Sequence, residues 1–198
     1  MKYITLLLVF CFSLNAFAST GAMKELESAM DEYQYALTVD WDQKDESFKA
    51  AQTEALSKKM GELFKQGLTS QDVNFLIDTR FKNSKVAEAA KLKLSLMGNS
   101  LTPSNVLDVL KNNSSDVYSQ GAAWSGDIKY FVWGGVVVAI VAIAVAYSQW
   151  QNKNYTCTQT AMADYCTDRY SCDDYGCDYE YTDCGSYERC IKEERNDL

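Results

Sequence analysis

The chain has no histidine among its 198 residues. That absence excludes Ser-His-Asp and Cys-His catalysis and removes the commonest ligand of zinc and non-haem iron. Positive charge is also scarce: 19 Lys and Arg stand against 27 Asp and Glu, a formal net charge of -8. Such a chain is a poor partner for phosphate backbones and anionic lipid surfaces, so nucleic acid binding is not expected. No Cys-x-x-Cys pair occurs, which weakens a zinc reading of the cysteines. Between Ser19 and Asp127 no convincing period-two alternation of polar and apolar residues is present, so no strand is expected there.

What is present begins with an export signal. Lys2 is followed by the apolar run ITLLLVFCFSL and by Ala16-Phe17-Ala18. A charged n-region, an h-region of this length and an A-x-A site predict a cleaved signal peptide over 1–18, with an uncleaved N-terminal anchor as the alternative. Phe10, not a small residue, precedes Cys11, so lipid attachment there is rejected. Cleavage leaves 198 − 18 = 180 residues and removes Lys2, taking the net charge from -8 to -9. That length suits one modest domain with appendages.

A second apolar run, YFVWGGVVVAIVAIAVAY over Tyr130 to Tyr147, carries no charge and is edged by Lys129 and Lys153. At a rise of about 1.5 Å per residue it spans about 27 Å, close to a hydrocarbon core of roughly 30 Å. Tyr130, Trp133, Tyr147 and Trp150 lie near its ends, where amphipathic rings favour the headgroup level. A transmembrane helix over 129–150 is expected. The alternative is a fully buried core helix or strand, weighed against the small size of the chain. Gly135, Ala139, Ala142 and Ala146 line a small-residue seam on this helix, which predicts helix packing, with itself as a homo-oligomer or with a partner.

Between these runs, the segment 19–111 reads as a helical domain. Leu26, Met30, Tyr33 and Leu37 share one face, and Phe48, Ala51, Ala55, Leu56, Met60, Leu63 and Phe64 form a longer stripe at helical spacing. Shorter stripes follow at Val73, Leu76, Ile77 and Phe81, at Val86, Ala89, Ala90, Leu94 and Met97, and at Val106, Leu107 and Leu110. Gly67 and Gly98 are placed to end helices. Leu68-Thr69-Ser70-Gln71-Asp72-Val73 echoes Leu101-Thr102-Pro103-Ser104-Asn105-Val106, each with Thr at the N-cap position, and Pro103 suits the first helical turn. The echo suggests two helical hairpins, hence a small bundle or a short solenoid-like domain.

The segment 112–128 turns polar and reads as a linker. Asn112, Asn113 and Asn154 head glycosylation sequons that are read as chance. The tail over 151–198 is acidic and rich in Tyr and Cys. Cys157, Cys166, Cys172, Cys177, Cys184 and Cys190, with few aliphatics around them, predict an irregular, disulfide-stapled module with fifteen pairings open. Asp168, Asp173, Asp174, Asp178, Glu180 and Asp183 invite a calcium reading, but their spacing fails the EF-hand loop and a solvated acidic face is preferred. Asp40-Trp41-Asp42 is read as a turn, with Asp42 or Asp45 capping the next helix.

The whole is expected to be mainly α, with no catalytic, cofactor-binding or metal residues assigned and no cofactor. The functional expectation is a membrane-tethered interaction or structural protein with a protein partner; the alternative is a membrane-active or signalling oligomer assembled through the transmembrane helix. These expectations collide on one point. A single span after a cleaved signal leaves the helical domain extracytoplasmic and delivers the tail to the cytoplasm, where thiols are kept reduced. Lys111 and Lys129 on one side and Lys153 and Arg169 on the other leave the positive-inside rule tied.

Overall fold

The computed structural model describes residues 21–37, 45–82, 84–110, 128–173 and 176–196, with side chains described at all of these except 46, 99, 128–134 and 169–179. The expected signal peptide, the Asp40-Trp41-Asp42 turn and residues 112–127 of the linker, with the sequons at Asn112 and Asn113, lie outside the described residues.

Helix α1 occupies 21–37, α2 Glu46–Lys65, α3 Ser70–Arg80 and α4 Lys85–Leu96. A 3-10 turn over Gly98–Ser100 leads to α5 at 106–110, and the apolar helix α6 runs over Ile128–Asn154. Local chemistry sets these boundaries. Asp45 is the N-cap of α2, its carboxylate accepting from the Phe48 amide at 2.7 Å and from the Ser47 hydroxyl at 2.7 Å. The Phe48 bond is the main reason its carboxyl is held below the ordinary value. Gly67, at φ +100°, ends α2: the Leu68 amide reaches the Leu63 carbonyl at 3.0 Å and the Gly67 amide reaches Phe64 at 3.2 Å, the Schellman pattern that a left-handed residue permits. Gly98, at φ +52°, follows α4 and opens the 3-10 turn.

The two echoing motifs diverge. In the first, Thr69 and Asp72 form a complete capping box at the start of α3. In the second, the Thr102 amide donates to Asn105 Oδ1 at 2.8 Å, but residues 103–105 form a turn and the helix begins only at 106.

The apolar helix lies in the middle of the core. Every residue from Val136 to Ala144 is buried, nine in succession; at 100° per residue they point in every direction around the axis. Leu26 and Met30 of α1, Leu56, Met60 and Leu63 of α2, Val73, Leu76 and Ile77 of α3, and Ala87, Ala90 and Leu94 of α4 belong to the same cluster. Helices α2, α3 and α4 all pack on α6. The small size of the chain is therefore no obstacle to surrounding this segment: α2, α3 and α4 pack on it, and α1 contributes to the same cluster. Close approach helps. A Cβ on Gly61 of α2 would stand 2.5 Å from the Tyr147 hydroxyl oxygen of α6, and the Tyr147 ring stacks on Phe64 with centroids 5.3 Å apart.

The tail is not irregular. Strands β1, Tyr155–Asp173, and β2, Gly176–Arg195, form a two-stranded antiparallel sheet with Tyr165 opposite Gly185 and Cys166 opposite Cys184. The register shifts near Cys157–Thr160 and again between Arg169 and Tyr170. The expectation of an irregular tail fails because the alternation here is not one of hydrophobicity. The face toward the helices carries Ala161, Ala163, Tyr165 and Thr167 opposite Arg189, Tyr187, Gly185 and Asp183, a mixed set that no polar-apolar count detects.

Candidate functional site

The helices and the hairpin meet around Asp72. This residue is fully buried at 0% exposure, yet its position was fixed first by a local need: as the third residue of α3 it accepts from the Thr69 amide at 2.8 Å. The box leaves its carboxylate facing the hairpin. There Arg189 Nε donates to Oδ1 at 2.9 Å and to Oδ2 at 3.0 Å, and the Tyr187 hydroxyl donates to Oδ1 at 2.5 Å. Arg189 Nη2 continues to the carbonyl of Gly67 at 2.6 Å. One guanidinium therefore bridges the end of α2 and the start of α3, meeting an acceptor at each.

Aromatic packing closes the junction. The Tyr187 ring stacks on Phe75 of α3 with centroids 4.3 Å apart, and Gly185, two residues along β2, leaves room for Phe75, whose ring carbon would be 3.1 Å from a Cβ there. Burial, followed by the bond to Asp72, pushes the Tyr187 phenol well above its ordinary range. Helix α6 joins through Gln151, whose Oε1 accepts from the Ser70 amide at 2.5 Å and whose Nε2 donates to Glu193 at 2.7 Å. A free amide at the start of α3 is thereby satisfied by the last turns of α6.

Two further ties lie along the hairpin. Tyr165 donates to Glu27 of α1 at 2.9 Å, and Thr167 donates to the other oxygen of the same carboxylate. Burial, with the Glu27 charge beside it, raises the Tyr165 phenol. Lys82, just after α3, pairs with Asp183 at 3.4 Å.

The arrangement holds the hairpin to the helical body. The Asp72 oxygens are already occupied by Thr69, Tyr187 and Arg189 and are closed to water, so the carboxylate is neutralised and held. Comparison with protein families, with curated proteins and with solved structures finds no match. Function must therefore be argued from the geometry of this chain.

Four of the six tail cysteines are joined, Cys157 to Cys190 and Cys166 to Cys184. The side chains of Cys172 and Cys177 lie outside the described residues, although their backbones face each other in the sheet. Among the described residues no group of three or more Cys, Asp and Glu is placed to hold a metal ion. Of the acidic cluster, Asp168 accepts from Thr182 at 2.7 Å and Asp183 faces Lys82; Asp173, Asp174 and Asp178 lie outside the described side chains. The seam residues Ala139, Ala142 and Ala146 are buried inside the protein's own core, and Gly135 is half-buried.

Sequence reasoning picked out Asp72 only as part of a capping motif and missed Arg189, Tyr187, Tyr165 and Glu27. The available signal was the pair Tyr187 and Arg189 at a two-residue spacing, which on a strand puts both on one face.

Proposed function

We propose that this chain is an exported interaction protein that presents a disulfide-stapled hairpin on a helical body, with the body, α6 and the hairpin all in one oxidising compartment. The observation that carries this reading is the burial of Val136 to Ala144 without a gap. A helix facing lipid has an exposed apolar side, and its neighbours share the bilayer. Here the neighbours of α6 turn Glu54, Lys58, Glu62 and Lys65 of α2, Asp78 of α3 and Lys85 and Glu88 of α4 outward, and ionised groups at membrane depth are costly.

The Asp72–Arg189 pair adds a second argument. It joins a residue before α6 to a residue after it in one buried contact, which a helix spanning a bilayer between them would separate. One-sidedness also removes the conflict between export and disulfides, since the oxidising side that receives the body receives the cysteines.

The interaction role rests on the outward face of the hairpin. Met162 is 69% exposed and shares this face with Asp164, Glu188 and Asp168, on a scaffold stiffened by the Cys166–Cys184 bond. A rigid, preorganised surface with an exposed apolar side chain loses little entropy on binding a protein partner.

A second reading keeps the membrane. Helix α6 is the one helix among the described residues long and apolar enough to cross a bilayer, and a tether through it is the competing account. Alkaline carbonate extraction separates the two, combined with an impermeant maleimide applied to intact cells after an impermeant reductant. Release into the supernatant with tail cysteines labelled from outside supports the one-sided fold. Retention in the membrane pellet, with labelling only after lysis, overturns it in favour of the tether.

A further inference from the structure

We infer that Cys172 and Cys177 form a third disulfide, so that the hairpin carries three nested cross-strand bonds and leaves no tail thiol free. The inference deepens the reading of the hairpin as a rigid presenting element and rests on backbone register. Cys172 and Cys177 are direct partners across the sheet, flanked by the pairs Ser171–Asp178 and Asp173–Gly176.

Being opposite is necessary but not sufficient, because antiparallel partners alternate between close and wide pairs, and the side chains at successive pairs point to opposite faces. Both conditions are met by counting from a bond already present. Cys166 and Cys184 are partners in the same sheet, are joined, and have Cα atoms 4.0 Å apart, a close pair. Along β1, Cys172 is six residues beyond Cys166, an even step that returns to the same face and the same kind of pair. Along β2, Cys177 is seven residues before Cys184. The register shift between Arg169 and Tyr170 takes up one of those seven: Arg169 faces Tyr181 and Tyr170 faces Tyr179, so Glu180 is unpaired. The effective step is again six. The bulge is what brings the second cysteine into phase.

The arrangement also accounts for the sequence. Only four residues, Asp173, Asp174, Tyr175 and Gly176, lie between the two positions in the sequence, so a Cys172–Cys177 bond closes a small ring. Forming the bond takes one proton and one electron from each thiol. The two electrons pass to the disulfide of a thiol–disulfide oxidant, which leaves as a dithiol after exchange through a mixed disulfide. The compartment proposed above supplies oxidants of that class.

Mass spectrometry of the full exported chain tests the inference. The unreduced protein, alkylated in denaturant, should take up no label at any tail cysteine and should weigh about 6 Da less than its reduced form, two hydrogens for each of three bonds. Cleavage before Asp173 and Asp174 cuts between the two cysteines, so their fragments should stay joined until reductant is added. Alkylation of Cys172 and Cys177 without reduction, with a deficit of only about 4 Da, would overturn the third bond. So would either cysteine joined to one of the other four. Neither result bears on the one-sided fold, because disulfides among the tail cysteines would in either case still report the oxidising side.

Discussion

Asp72 and Arg189, 117 residues apart in the chain, form a buried ion pair in which one guanidinium nitrogen donates to both carboxylate oxygens. Both side chains are nearly inaccessible, and the Tyr187 hydroxyl and the Gly67 carbonyl satisfy what remains. Removing one partner leaves the other charge uncompensated, which typically costs about 3–5 kcal/mol. Arg189→Met and Asp72→Ala should each lower the free energy of unfolding in urea by about that amount. The double variant should lose distinctly less than the sum, because the stranded charge is gone. An Arg189→Met cost under about 1 kcal/mol, the range of an exposed pair, would show that the hairpin is not held this way.

The two buried phenols make stability sensitive to alkali. Tyr165 and Tyr187 both have folded values raised above the ordinary value of about 10, by burial first and then by Glu27 or Asp72. Below about pH 10 the folded and unfolded chains both keep these protons, and the contribution is complete. Above it the unfolded chain releases them while the folded chain retains them, so stability falls as pH rises toward the folded values. Urea midpoints followed from neutral pH into strong alkali should decline above about pH 10, and Tyr165→Phe with Tyr187→Phe should flatten that decline while lowering stability at neutral pH. An unchanged slope in the double variant would assign the alkaline limb to other groups.

The packing of α6 predicts a protein-core response to substitution. Ile140 is fully buried, and Ile140→Ala should cost about 2–5 kcal/mol through lost burial and a cavity. Ala142 has no exposure either, and Ala142→Leu should cost about 1–3 kcal/mol by overpacking. Side chains directed at fluid lipid would tolerate both changes. Equilibrium unfolding of the purified chain without detergent measures the difference.

The Cys166–Cys184 bond lies on the face of the hairpin turned away from the helices, with both residues exposed. Replacing both by Ser removes a crosslink over 18 residues, which by loop entropy stabilises by about 3 kcal/mol. The loss should appear in the unfolding midpoint, with far-ultraviolet helix content preserved, because no helix contact passes through this bond. Loss of helix content in the variant would mean that the body cannot form without the stapled hairpin.

Much of the helical body was legible in the sequence because its signals are local. The stripe through Leu56, Met60 and Leu63, the cap at Asp45, the stop at Gly67 and the restart at Thr69 each depend on residues within a turn or two. The same holds for an uncharged run forming a helix, and for the use of Cys157, Cys166, Cys184 and Cys190 in disulfides. The sequence left open where the apolar helix goes. Hydropathy records how strongly a segment avoids water, and Ile140 or Val141 satisfies that preference equally among hydrocarbon chains or among Leu63, Leu76 and Leu94. Which side chains stand around it is a matter of tertiary structure alone, because those neighbours come from α2, α3 and α4, far away in the chain. The hairpin was hidden for a related reason: Tyr165, Thr167, Tyr187 and Arg189 are polar side chains buried by hydrogen bonds to Glu27 and Asp72. A polar group becomes a core residue only when its partner is brought to it, and those partners stand more than a hundred residues away.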